Sequence, residues 1–153
     1  MRHISNTILF LRIFAFAAAV PYLLKLRLSR VGDALEPGRN PVAVQEDTVR
    51  RITAYIETVI RRGQPLVRRG CLTRGLTRYY FLRRAGMDVA LCFGMGHLEN
   101  EFMGHCWLVK DGEPFLEAED PRRRYVEMYR ISPEGNRGRT PAGANALGRL
   151  ANS

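Results

Sequence analysis

At 153 residues the chain has the size of one ordinary domain, long enough to bury a core and too short for two large ones. Its composition, 46% apolar and 25% charged, is that of a folded globular protein and excludes a disordered one. The net charge of +9 attracts nucleic acid, anionic lipid or acidic peptide without choosing among them, and the three cysteines, Cys71, Cys92 and Cys106, lack the paired spacing of a disulfide framework. A reducing, cytoplasmic compartment fits that usage.

Residues 8–28 are rich in Leu, Ile, Phe and Ala. Arg12 interrupts this run, Pro21 breaks it again, and Lys25, Arg27 and Arg30 follow, so the uncharged stretch 13–24 falls short of the roughly 20 residues a spanning helix needs. Arg12 also argues against an export signal, although Ala15, Ala17 and Ala19 offer small residues for cleavage. The segment 1–31 is therefore read as a helix packed on the core or a partner, with a helix lying on the surface of the inner membrane as the alternative. Residues 32–44, with GDALEPGRNP, read as a linker.

A domain over 45–132 follows. Val49, Ile52, Tyr55, Ile56, Val59 and Ile60 recur at helical spacing with charged residues opposite, giving a one-faced helix that ends near Gly63. After a loop containing Gln64 and Pro65, a second helix is expected from Cys71 to about Ala85, capped by Gly86. The period then shortens toward 2: Val89, Leu91 and Phe93 alternate as a strand, 94–104 reads as a Gly-rich loop, and His105, Trp107 and Val109 mark a second strand. Asp111-Gly112 is a two-residue hairpin signal, with a returning strand over 113–117. Residues 125–131 alternate as a fourth strand, with Val126 and Met128 on one face. From 133 to 153 no periodicity remains, and a disordered tail is expected. Helices first and an antiparallel sheet after them make an α+β fold.

Chemistry enters with Cys71. A cysteine attacks carbonyls as a thiolate, which the positive end of a helix and neighbouring cations favour; Cys71 opens the second of these helices and follows Arg68 and Arg69. A Cys nucleophile needs a base, and the base needs an orienting group. His105, on a strand, supplies the first. Glu117 is the first choice for the second, since it pairs across the hairpin near Leu108 or Cys106; Asp120 follows, with Glu119 and Asp111 also available. Taken singly, each of these residues has an ordinary structural explanation.

Together they form a recognisable pattern. The stretch GCLTRGLTRYYFLRRAGMDVALCFGM, followed by GHCWLVKDGEPFLE, resembles the transglutaminase-like domain of lasso-peptide biosynthesis, with its CL-x-R-x-L helix and histidine-small-tryptophan strand. The resemblance covers about residues 65–117. It implies a papain/transglutaminase-like fold, with the nucleophile at a helix N-terminus packed on a small antiparallel sheet, and assigns Cys71 as nucleophile, His105 as base and Glu117 as the acid, where many members carry Asp. Cys106 replaces the more usual alanine. The resemblance also implies a leader peptidase of the split form. Such an enzyme cleaves a ribosomally made precursor peptide, receives it from a separate leader-recognition protein, and hands the core to an ATP-dependent macrolactam cyclase. No cofactor is implied. Gln64 is a candidate oxyanion donor, set against an exposed turn glutamine.

Three rival readings remain. His97, His105 and Cys106 lack the spacing of a zinc site. Arg74, Arg78, Tyr79, Arg83 and Arg84 would suit nucleic acid, yet a basic helix face explains them equally well, so no nucleic-acid partner is expected. A thioester at Cys71 captured by an amine would make a transferase, and a site without activity would leave a scaffold.

Overall fold

The computed structural model describes residues 6–25, 35, 43–98 and 101–132, with the backbone alone at Leu98. Apart from Leu35, which is buried, and residues 43–44, the expected linker lies outside the described residues, as does the whole of the expected tail over 133–153. The chain divides into two compact units, Met1–Asp88 and Val89–Ser153.

The first unit is helical. Helix α1 spans Asn6–Leu23, α2 Glu46–Arg62 and α3 Cys71–Ala85, and each packs on the other two. Helix α2 buries Val49, Ile52, Ile56, Val59 and Ile60, the face its sequence spacing defines. Glu46 and Asp47 sit in its first turn and Arg61 and Arg62 in its last, each complementing the helix dipole. At Gly63 the N–H returns to the Val59 carbonyl at 2.7 Å, and a Cβ there would lie 2.8 Å from Val67 Cγ2, so the loop can fold back tightly only on glycine.

Helix α3 is buried on more than one face, with Leu76, Tyr79 and Leu82 fully enclosed. Even its arginines are tied down. Glu57 of α2 accepts from Arg74 Nε and Arg78 Nη2, both at 2.9 Å, and Arg83 Nη1 donates to the Met87 carbonyl at 3.2 Å. Gly86 ends the helix in the left-handed region (φ 103°), with the Met87 N–H reaching the Leu82 carbonyl at 3.0 Å. That is the glycine stop expected from the sequence. Pro21 falls inside α1, within its last turn, rather than breaking the run.

The second unit is a four-stranded antiparallel sheet in the order β3-β2-β1-β4, with β1 Ala90–Leu98, β2 Glu101–Lys110, β3 Glu113–Phe115 and β4 Val126–Ile131. A 3-10 turn, Pro121–Arg123, precedes β4. These helices and this sheet constitute an α+β fold. The segment 94–104 departs from the expected loop: β1 and β2 stay paired from Ala90↔Val109 out to Leu98↔Glu101. Its glycines serve packing instead of turning. A Cβ at Gly94 would lie 2.7 Å from the Trp107 ring, and one at Gly96 would strike the Arg124 carbonyl oxygen.

Asp111 (φ 52°) and Gly112 (φ 81°) form the expected two-residue turn. The strand after it is shorter than expected, because Leu116 turns to φ 61° and lifts the chain away after Phe115. In β4 the register shifts against Phe93 and Gly94, which pair with Tyr129 and Glu127. A bulge at Met128 thus interrupts the simple alternation that would have set Val126 and Met128 on one face.

Candidate active site

Within the sheet unit, β2 carries His105 at a position opposite Gly94 of β1. Its Nε2 lies 3.3 Å from Glu117 Oε2, and both side chains are largely but not wholly enclosed. Glu117 arrives by way of the Leu116 turn: β3 pairs with β2 only from Lys110↔Glu113 to Leu108↔Phe115, and the left-handed residue after it redirects the chain. The 3.3 Å separation is long for a charge-assisted bond and usual for an unliganded catalytic pair. When Nε2–H donates to the carboxylate, Nδ1 holds the lone pair of the neutral ring. That nitrogen is then the one available for proton transfer.

Aromatic rings hold the imidazole in orientation. Trp107, two residues along the same face of β2, lies nearly parallel to it at 6.1 Å between centroids, and Tyr125 stands at 5.1 Å. Trp107 packs with Cys92, Val109 and Tyr125 in one buried cluster. Glycine at 94 leaves the space that the indole fills. Gly94 and Tyr125 are not singled out by the sequence, in which Gly94 opens a Gly-rich stretch that reads as a loop.

The other candidate acids are engaged elsewhere. Asp120 accepts from the Arg122 backbone N–H at 2.9 Å, from Nε at 2.9 Å and from Nη2 at 2.8 Å, and these bonds hold its carboxyl below the usual carboxylate range. Arg122 also reaches Glu113 at 2.6 Å, so the group staples the hairpin to the 3-10 turn. Glu119 pairs with Arg124 at 3.4 Å, and Asp111 with Lys110.

Cys71 belongs to the helical unit, as the first residue of α3. Gly70 precedes it as N-cap, no side chain caps the helix, and no acid occupies the first turn. The positive dipole end therefore faces no competing carboxylate from the first turn of the helix. Arg69 donates to the Arg61 carbonyl at 2.7 Å, closing the C-terminal end of α2. Gln64 is an exposed loop residue beside Pro65, Val67, Arg68 and Arg69. Of the three thiols only Cys71 is partly accessible; Cys92 and Cys106 are buried. Burial, reinforced by the Glu127 carboxylate, pushes the Cys92 thiol up to about 12, which leaves it protonated and unreactive near neutrality.

Among the described residues no three His, Cys, Asp or Glu side chains gather as metal ligands. His97 instead stacks edge-on against Phe102, its cross-strand partner, at 4.1 Å.

Compared with known proteins, residues 10–130 match the family model described as the transglutaminase-like superfamily. No curated protein and no solved structure matches the chain.

Proposed function

From its membership of the transglutaminase-like superfamily, to which this chain belongs, we propose that the protein is a cysteine peptidase removing the leader from a ribosomally made lasso-peptide precursor. The family as a whole points to cysteine-dependent peptidase or acyltransferase chemistry. The narrower reading rests on the CL-x-R-x-L helix opening at Cys71 and the histidine-Cys-Trp strand at His105. The observation that carries it is the His105–Glu117 pair at 3.3 Å, an imidazole with one nitrogen held by a carboxylate.

In this reading the Cys71 thiolate adds to the scissile carbonyl carbon, and backbone N–H groups at the start of α3 stabilise the oxyanion. The imidazolium of His105 then gives its proton to the departing amine as the C–N bond breaks, leaving a thioester. Water, deprotonated by the same ring, adds to the thioester, and the C–S bond breaks to release the acid and restore the Cys71 thiolate and the His105 imidazolium. Glu117 keeps the ring in the required tautomer. A separate leader-recognition protein presents the precursor, and an ATP-dependent cyclase consumes the product.

The test is brief, substoichiometric iodoacetamide labelling near neutral pH, read by mass spectrometry. Cys71 should label at least about tenfold faster than Cys92 or Cys106, and His105→Ala should abolish that advantage. Equal labelling of the three thiols, or labelling of Cys71 indifferent to His105, would remove the chemical basis of the proposal. Cleavage of a synthetic precursor by the wild type, absent in Cys71→Ala, then decides the substrate.

A further inference from the structure

Helix α1 is apolar on two opposite sides. On one side Ile13, Ala17 and Val20 are fully buried in the helical unit, and Phe16 stacks on Tyr80 at 4.3 Å. On the opposite side Ile8, Leu11, Ala15, Ala18 and Tyr22 succeed one another at spacings of three and four, which places them in one stripe along the helix. Ile8 is 52% exposed, Leu11 58% and Tyr22 70%. Scattered apolar side chains on a surface are ordinary, but a stripe running the length of a helix marks a surface that something covers.

Charge identifies the cover. The helical unit Met1–Asp88 holds 16 of the 24 Lys and Arg residues and 6 of the 15 Asp and Glu, a net charge of +10, whereas Val89–Ser153 holds the remaining 8 and 9, a net charge of −1. The positive charge of the chain is thus concentrated in the unit that bears the stripe. Arg12 is exposed and borders it, and Lys25 lies over the Tyr22 ring at 5.4 Å, at its C-terminal end. A nucleic acid would use the charge and ignore the stripe; a second helix would use the stripe and ignore the charge. A bilayer of acidic lipid uses both.

We propose that α1 lies in the plane of an anionic membrane surface, with the Ile8 to Tyr22 stripe at the boundary of acyl chains and headgroups and Arg12 and Lys25 at the lipid phosphates. By length and composition α1 could also cross a bilayer. Crossing would strip Ile13, Ala17 and Val20 from α2 and α3 and carry Arg12 into hydrocarbon, whereas lying in the plane keeps the packed side packed. A shallow apolar contact alone gives marginal binding, and the basic unit supplies the second attraction that makes it stable.

Co-sedimentation of the full chain with phosphatidylcholine vesicles, with and without phosphatidylglycerol, tests this. The protein should bind the anionic vesicles and be released by high salt. Leu11→Ser combined with Tyr22→Ser keeps the charge, and should weaken binding at least about tenfold with circular dichroism and thermal unfolding unchanged. Three results would overturn the proposal: no binding to anionic vesicles, equal binding by the double variant, or a wild-type dimer in light scattering that the double variant dissolves. The readout requires no cleavage, so it stands or falls apart from the peptidase reading.

Discussion

His105 and Glu117 meet because one residue, Leu116, adopts a left-handed backbone and turns the chain after a three-residue strand. Sequence spacing selected Glu117 through cross-strand pairing, yet pairing stops at Phe115, and a backbone angle brings the carboxylate to the ring. Asp120 is the second choice by spacing, and its Arg122 bonds, which depend on the fold of the 3-10 turn, engage its carboxylate elsewhere. Glu117→Ala should therefore lower kcat by roughly 10–100-fold with little change in KM, and Asp120→Ala should leave kcat within about twofold. Under the proposed peptidase function, steady-state kinetics on a synthetic precursor peptide would show it, and a larger loss from Asp120→Ala would transfer the orienting role.

Another residue-level consequence concerns Cys92. Its thiol is raised from an ordinary 9.0 to about 12 by burial. Above pH 9 the unfolded chain releases this proton and the native chain keeps it, so native stability falls as pH rises from about 9 to about 12, at up to about 1.4 kcal/mol per pH unit. Below pH 9 the contribution is fully present. Urea unfolding of Cys92→Ala should show a lower stability at neutral pH and a flatter decline across that alkaline window; an identical slope would contradict the burial argument.

Among the elements, helices were the more legible. The buried face of α2 and the glycine stop of α3 follow from local rules of spacing and capping, which act within a few residues. Strand limits were less legible, because Gly94, Gly96 and Gly104 carry the same local signal whether they turn a chain or make room in a sheet. What decides is a partner distant in sequence: Trp107 for Gly94 and the Arg124 backbone for Gly96. Gly94→Ala should cost about 1–3 kcal/mol and disturb the ring stack behind His105, since its Cβ would press on the indole. Gly104→Ala meets only the Gly94 carbonyl oxygen, at 3.9 Å, and should cost no more than about 1 kcal/mol. Equal denaturation midpoints for the two variants would refute the close-approach account.

At the scale of the molecule, the question is whether α1 is a detachable leader or a layer of the fold. From sequence the run 8–28 was ambiguous, since apolar composition alone serves a core helix, a signal and a membrane helix alike. The family match begins at residue 10, within α1, and Ile13, Ala17 and Val20 are fully buried in a unit where α1 packs on both α2 and α3. Removing α1 would open the core of that unit to water. Ile13→Ala should accordingly lower stability by about 2–4 kcal/mol, while Leu11→Ala, on the exposed stripe, should change it by no more than about 0.5 kcal/mol. Chemical denaturation of the two variants separates the possibilities: a detachable segment predicts that both are silent, whereas an integral helix with one face packed and one face free predicts that only the inward substitution is costly.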